Sequence, residues 1–224
     1  MPDAATLWIM RTRRVVSLGL LFITLVLVGS FLAPAAAEPS PERVVAIVPL
    51  GKVRQEFLDK VQQEFQSRMK VRIRIDPARE LPQEAWYAPR SRWRADRILE
   101  WLDENPPEGA WRVVAVTEAE ISATKGNILD WGIAGLGSIG GPSCLVSAHI
   151  YKKHSKTKEA LLRRLGDLAV HEFGHTLGFP HCEETGCVMA DAKGKAISSA
   201  DSSSGHYCAK CLGTLSAEDR ALVK

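Results

Sequence analysis

Three of the chain's six histidines lie in one stretch of eleven residues, HEFGHTLGFPH, at positions 171–181. In a helix, residues four positions apart share a face, so the imidazoles of His171 and His175 point the same way. Two imidazoles placed in this way can bind one zinc ion through their ring nitrogens. Glu172 lies one position from His171, near enough to reach a metal-bound water without ligating the metal. The spacing therefore predicts a zinc-binding helix with a carboxylate beside the metal.

The residues that follow predict a third ligand. Gly178 supplies the backbone freedom to end the helix, and Pro180 prevents its continuation. The chain can then reverse so that His181 binds the same metal, which leaves a fourth position open, as in catalytic zinc sites. A bare H-E-x-x-H also occurs in ordinary helices with solvated or buried histidines, whereas the extended pattern is the metzincin signature. We interpret the stretch as the helix of a zinc hydrolase.

Four of the five cysteines form a second candidate ligand set. Cys182 directly follows the third histidine, Cys187 comes five residues later, and Cys208 and Cys211 form a C-x-x-C pair. If the chain is exported, as residues 1–37 suggest below, its cysteines are expected to oxidise by default. Two disulfides, or one disulfide and a free pair, are therefore one alternative. A C-x-x-C disulfide is strained and usually redox-active, whereas four thiolates suit a tetrahedral structural zinc, which we favour. Cys144 stands apart and is interpreted as a small apolar core residue.

The combined string, H-E-x-x-H-x-x-G-x-x-H-C-x4-C-x-M followed by C-x-x-C, resembles the archaemetzincin (archaelysin) family of metzincin metallopeptidases. Eighteen residues separate Met189 from the C-x-x-C, one more than is usual in that family. The resemblance implies that Glu172 is the general base and that Met189 forms the Met-turn beneath the metal. It also implies two zinc ions per chain, a catalytic one on His171, His175 and His181 and a structural one on Cys182, Cys187, Cys208 and Cys211.

On this interpretation the chain is a zinc-dependent peptidase. Zinc would lower the pKa of its bound water, and Glu172 would take a proton from that water and deliver it to the leaving amine. Two other classes of protein remain open. The same ligands could hold zinc without turnover in a peptide-binding module, although such a module has no need for a base beside an open metal position. A disulfide oxidoreductase would place Cys208 and Cys211 at a helix N-terminus after a strand, and a Ser/Gly-rich loop precedes the pair instead.

The elements that must position this site follow from periodicity. A β-branched run at residues 44–48 and an alternating run at 71–75 flank a helical pattern over 53–69, which predicts a β-α-β unit with parallel strands. The active-site helix is predicted to begin near Thr157 or Lys158. The expected fold class is α/β (α+β), one metzincin-like domain with a mixed twisted sheet, an active-site helix packed on it and a C-terminal zinc-bound subdomain. Further predicted elements are a helix over 92–102, a strand over 112–116, a Ser-rich loop over 198–204 and a helix cap at Ser216.

A further strand is predicted over residues 142–151, just before the active-site helix. In metzincins the corresponding strand is the sheet edge over the cleft, where an extended peptide adds as another strand through its backbone groups. Ser143, Leu145 and Ser147 are therefore candidate substrate-binding residues. The alternative is an ordinary sheet edge covered by loops.

Residues 1–37 have the composition of an export signal. Three arginines precede an apolar run at residues 15–32, and three alanines at 35–37 offer a small-residue cleavage site. The run also reaches the ~18 residues at which a membrane-spanning helix becomes possible, so an uncleaved anchor is the alternative. Arg13 and Arg14 could form a twin-arginine signal, although its flanking pattern is incomplete.

The remainder, residues 38–224, is long enough for one metallopeptidase domain with its own core. The whole chain carries a net charge of +3, and the three arginines and one aspartate of residues 1–37 leave about +1 for the rest. This near-neutral charge gives no electrostatic case for binding nucleic acid or membranes. We expect a monomer that acts on peptides or proteins, secreted or periplasmic after cleavage, or else membrane-anchored with the domain outside the cytoplasm.

Overall fold

Two β-sheets form the framework of residues 42–224, the part of the chain that the computed structural model describes. The predicted export signal lies outside these residues. The larger sheet has five strands in the order β2-β1-β5-β9-β8, and the smaller has four in the order β3-β4-β6-β7. The strands are β1 (Val44–Leu50), β2 (Arg72–Ile75), β3 (Trp86–Tyr87), β4 (Arg92–Arg94), β5 (Arg112–Thr117), β6 (Ile121–Lys125), β7 (Ile128–Ile133), β8 (Gly135–Gly137) and β9 (Ser143–Ser147).

Helices cover both faces of the larger sheet. The predicted β-α-β opening is confirmed, because β1 pairs in parallel with β2 on one side and with β5 on the other. All seven residues of β1 are buried, as expected for a central parallel strand covered on both faces. The helices are α1 (Gln55–Arg68), α2 (Ala95–Glu104), α3 (His149–His154), α4 (Lys158–Thr176), α5 (Ala196–Ser202), α6 (Ala209–Gly213) and α7 (Ala217–Ala221).

Two hydrophobic cores hold the layers together. Helices α1 and α4 share one core, in which Phe65 of α1 packs edge-to-face on Phe173 of α4 at a centroid distance of 4.9 Å. Helix α2 covers the opposite face and buries Ile98 and Leu102. No helix in the described part of the chain combines the length and apolar character needed to cross a bilayer.

The prediction that Ser143, Leu145 and Ser147 form the sheet edge is wrong. Strand β9 lies between β5 and β8, and all three side chains are fully buried. The two hydroxyl groups are satisfied internally, since Ser143 donates to Asp103 and Ser147 donates to the backbone carbonyl of Ala119. A buried strand can therefore carry these serines, and the edge belongs to β8, which pairs antiparallel with β9.

Three further differences remain, the first of which is that residues 92–94 form strand β4 where a helix was predicted over 92–102. Residues 149–154 form helix α3 where the strand was predicted to continue, and part of the Ser-rich stretch forms helix α5 where a loop was predicted. The predicted cap is confirmed, because the hydroxyl group of Ser216 accepts a hydrogen bond from the backbone N–H of Asp219 at 3.0 Å.

Candidate metal centres

Helix α4 supplies the platform of the first centre. Its N-terminus is capped by Thr157, whose hydroxyl oxygen accepts from the N–H of Ala160 at 3.1 Å. Leu165, Ala169 and Phe173 are fully buried, so one face of the helix is fixed against the core. Because this packing extends over residues 165–173, it fixes the part of the 19-residue helix that carries His171.

Three imidazoles meet at the C-terminal end of α4. His171 and His175 lie on the helix, and Gly178, at φ +94°, allows the chain to turn back and bring up His181. One ring nitrogen from each histidine can be chosen so that all three lie within 4.8 Å of one another. The structure thus brings together the three histidines that the spacing predicted.

Backbone carbonyls fix the orientation of two of these rings. The Nδ1 atom of His171 lies 2.7 Å from the carbonyl oxygen of Val188, and that of His175 lies 2.7 Å from the carbonyl oxygen of Phe179. A carbonyl oxygen can only accept, so each Nδ1 carries the proton and each Nε2 keeps a free lone pair. Histidines that bind a metal through one ring nitrogen usually donate a hydrogen bond from the other in this way.

Burial favours the neutral form of both rings. It lowers the pKa of His171 to about 4 and lowers that of His175 as well, because desolvation disfavours the charged imidazolium. Neutral imidazole is the form that binds metal. The donor set, the tautomers and the protonation state therefore all fit a zinc ion at this cluster.

Glu172 is buried beside the histidines, with 6% of its surface exposed. Desolvation raises the pKa of its carboxyl group to about 8, although a hydrogen bond from the N–H of Gly137 acts in the opposite direction. Strand β8 can approach this closely because it carries glycines. A Cβ atom at Gly135 would lie 2.6 Å from Oε1 of Glu172, and one at Gly137 would lie 2.8 Å from Cβ of His175.

Met189 lies under the same stretch of helix and is fully buried. It packs against Gly174, where a Cβ atom would overlap its sulfur and would come within 2.9 Å of the Tyr207 ring. Gly174 is therefore required by close packing at the helix surface and not by its backbone angles.

The four predicted cysteines form the second cluster. All five cysteines are free thiols, and Cys144 is fully buried away from the other four. The sulfur atoms of Cys182 and Cys208 lie 3.7 Å apart, and the second pair of sulfurs lies 3.8 Å apart. A tetrahedron with metal–sulfur bonds of ~2.3 Å has edges of about 3.8 Å, whereas a disulfide bond is ~2.05 Å. The spacing of the sulfurs, contributed by Cys182, Cys187, Cys208 and Cys211, therefore fits a tetrahedral zinc and not a pair of disulfides.

The C-x-x-C pair lies at the start of helix α6, with Cys208 as its N-cap residue. A hydrogen bond from the backbone N–H of Cys211 is the main cause that lowers the pKa of the Cys208 thiol, to about 7. The pair therefore lies at a helix N-terminus, where a disulfide oxidoreductase would place it. The element before it is the short helix α5 and not a strand, however, so the thioredoxin-like pattern is absent among the described residues.

One short turn joins the two clusters. The carbonyl of Val188 accepts from His171, and the carbonyl of Met189 accepts from the N–H of Cys182 at 2.8 Å. Cys187, one position earlier, belongs to the thiol cluster. A displacement of this turn would therefore alter the positions of residues in both clusters.

A cavity of about 580 Å³ opens beside the histidines. His171, Glu172 and His181 lie on its wall, together with Leu136 of β8 and Trp131 of β7. Sequence reasoning missed this β8 wall, because a three-residue strand has no readable periodicity. The signal that could have revealed it is the Gly-Leu-Gly alternation, which indicates close approach of another element.

Comparisons with known proteins agree with this geometry. The family model described as peptidase family M54 matches residues 114–217. The archaemetzincin of Methanocaldococcus jannaschii is 29% identical over 182 residues, which cover 80% of this chain and 94% of that protein. The archaemetzincin of Haloarcula marismortui is 25% identical over 152 residues, which cover 65% of this chain and 84% of that protein.

Solved structures of archaemetzincins have the same fold. The one from Methanopyrus kandleri superposes with a TM-score of 0.65 at 21% identity, covering 79% of this chain and 94% of that one. The one from Archaeoglobus fulgidus, complexed with malonate, gives 0.63 at 22% identity, covering 76% and 98%. Together with the histidine cluster on α4, these matches define the class of protein as a zinc metallopeptidase. Within that class, the chain is similar to the archaemetzincins over most of its length.

Proposed function

We propose that this metallopeptidase hydrolyses peptide bonds with a catalytic zinc on His171, His175 and His181 and with Glu172 as the general base. The observation that carries the proposal is the convergence of three oriented imidazoles with a buried carboxylate on the wall of one cavity. When bound, zinc supplies Lewis acidity at the open side of the three rings.

Glu172 is proposed to carry the proton between water and the leaving amine. It is the neighbour of His171 on α4, and it lines the cavity without belonging to the three-histidine ligand group. In the proposed reaction its carboxylate takes a proton from the attacking water as the new C–O bond forms. It then delivers that proton to the amine as the C–N bond breaks, so the carboxylate is regenerated. The hydrogen bond from Gly137 holds the carboxylate in place beside β8.

The substrate backbone is proposed to pair with the free edge of β8. This strand is the last of the larger sheet and lies directly against the catalytic end of α4, as its contact with Glu172 requires. A sheet edge offers backbone N–H and C=O groups that can register an extended peptide. The substrate-binding role predicted for residues of β9 thus passes to β8.

A second zinc on the four cysteines is proposed to be structural. Its ligands number four, which fills a tetrahedral site and leaves no position for a substrate. The spacing of the sulfurs supports this proposal, and the shared turn at Val188 and Met189 explains how such a site would hold the Met-turn.

The test of the proposal is Glu172→Gln. Loss of the general base should lower kcat by a factor on the order of 10²–10⁴ on a panel of peptides, while zinc content by elemental analysis stays unchanged. Glu159→Gln, on the exposed first turn of the same helix, is the matched control and should behave like the wild type. Equal cleavage by the Glu172→Gln variant would overturn the role of Glu172. If the wild-type protein binds peptides and cleaves none, the chain is the silent binding module.

We also propose that the chain is exported, with residues 1–37 removed, and that it acts as a monomer on peptide or protein substrates outside the cytoplasm. The support is the sequence pattern of those residues. Sequencing the N-terminus of the recovered protein tests this: Glu38 as the first residue supports cleavage, whereas Met1 or Pro2 indicates a membrane anchor.

A further inference from the structure

The free edges of the two sheets are consecutive in the chain. Strand β7 is the outer strand of the smaller sheet and β8 is the outer strand of the larger, and only Ala134 separates them. Residues 128–137 therefore form one edge segment that continues past the proposed catalytic site. Backbone groups on such an edge are available to pair with another extended chain.

Apolar side chains are concentrated on the β7 part of this segment. Of the five large apolar residues that are exposed in the described part of the chain, three lie on this one strand: Ile128 at 49%, Leu129 at 69% and Trp131 at 37%. Proteins usually protect edge strands with charged side chains. The one charge on β7 is Asp130, whose side chain is 8% exposed and turned toward Arg92. The outer surface of the strand is thus apolar, which is typical of a binding surface.

Trp131 connects this surface to the cavity. Its ring lines the cavity wall that also carries His171 and Glu172, and it lies close to Gly194 on the opposite loop, where a Cβ atom would be 3.7 Å from the ring. The ammonium group of Lys125 lies 5.2 Å from the centre of the ring and holds it in place. A chain that lay along the edge segment and entered the cavity would contact this indole.

We propose that the apolar edge of β7 is a substrate-recognition surface that selects extended polypeptide segments rich in large apolar residues, with Trp131 as its specificity-determining residue. This inference rests on the proposed function. β7 is continuous with β8 and with the cavity. An extended polypeptide could contact the edge and the cavity together, whereas a lipid surface or a second copy of this chain could not, so we favour the polypeptide. Such segments are exposed in unfolded or partly folded proteins and are buried in folded ones.

The experiment compares short peptides of about four residues with long ones of about twelve, in apolar and polar versions, since about ten residues would cover the edge. The variants are Trp131→Ala, Trp131→Phe and the pair Ile128→Ser with Leu129→Ser. Trp86→Ala is the matched control, because Trp86 is 41% exposed and lies on β3, at the opposite edge of the smaller sheet. Peptide affinity is also measured with the Glu172→Gln protein, so that binding is assessed separately from turnover.

Trp131→Ala should lower kcat/KM for apolar peptides about ten-fold, mainly through KM, and Trp131→Phe should restore most of it. The double serine variant should lose the advantage of long apolar peptides over short ones, and Trp86→Ala should match the wild type. The proposal is overturned if all variants cleave and bind apolar peptides equally. It is also overturned if the serine pair alters only self-association or binding to lipid vesicles. If the wild type cleaves no peptide but binding to Glu172→Gln protein follows this pattern, the proposed function fails and the recognition surface stands.

Discussion

The two candidate metal-binding clusters are neighbours in the chain, since His181 precedes Cys182, but their scaffolds differ. Two histidines lie on a helix of 19 residues whose opposite face is fixed in the core. The cysteines lie on loops and at the start of a helix of five residues. The helix can hold its ligands in place through packing alone, whereas the loops need a cross-link. This difference explains how one region can combine an accessible site with a closed one.

Because the scaffolds differ, we expect the histidine cluster to contribute mainly to activity and the cysteine cluster mainly to stability. A site built on packed elements mainly loses chemistry when its metal is removed, and a site built on loops mainly loses structure. Three variants test this comparison.

The largest effect is expected for the closed cluster. Cys208→Ser with Cys211→Ser should remove one zinc per chain and lower the unfolding free energy by several kcal/mol, since metal binding by a closed site is folding free energy. Elemental analysis and thermal unfolding measure both effects. Cys144→Ser is the control for thiol content, because Cys144 lies outside the cluster. Two disulfides found by mass spectrometry in unreduced native protein would contradict the zinc assignment.

A smaller effect is expected where β8 meets the helix. Gly137→Ala would place a Cβ atom against the backbone carbonyl of Glu172 and 2.8 Å from Cβ of His175, so β8 must shift outward. We expect a stability loss of about 1–3 kcal/mol and a fall in kcat/KM with zinc content unchanged. Gly213→Ala at the end of α6 is the matched control, because this residue is exposed and an added Cβ atom would meet nothing within 4 Å. Unaltered activity in Gly137→Ala would show that the close approach of β8 is not needed.

The smallest effect concerns the ion pair that ties α5 to α4. The guanidinium group of Arg164 donates to both carboxylate oxygens of Asp201, at 2.8 Å and 2.7 Å. These hydrogen bonds are the main cause that lowers the pKa of Asp201. A carboxyl group with a lowered pKa stabilises the fold above its unfolded pKa of 3.8, and this contribution is lost as the pH falls through the folded value. Because Asp201 is largely exposed, Asp201→Asn should cost no more than about 1 kcal/mol at neutral pH. Below pH 4 the variant and the wild type should converge in thermal unfolding, and a constant difference down to the lowest pH would contradict this.

The sequence predicted the parts of the site whose geometry is local. The spacing of His171 and His175 on one helix face, and the turn at Gly178, depend on a few adjacent residues, and the structure brings all three histidines together. The β-α-β opening was likewise readable from periodicity, because its strands and helix are long enough to display one. The roles of the individual ligands and of Glu172 stay predictions.

The parts that sequence reasoning missed depend on distant partners. Whether β9 is a sheet edge is decided by β8, which pairs with it, and the burial of Ser143 and Ser147 depends on Asp103 and Ala119, which accept from their hydroxyl groups. Strand order is not encoded in alternation, so an edge strand and a buried strand with satisfied serines look alike. The carbonyl groups that orient the histidines carry no side-chain signal at all.

The turn at Val188 and Met189 has a thermodynamic consequence. It accepts hydrogen bonds from His171 and from the backbone of Cys182, so ordering it benefits both clusters. If each cluster binds zinc, as proposed, filling one must raise the affinity of the other, and by linkage the two enhancement factors are equal. The coupled chain would then load its two ions cooperatively, and activity would rise more steeply with free zinc than independent sites allow.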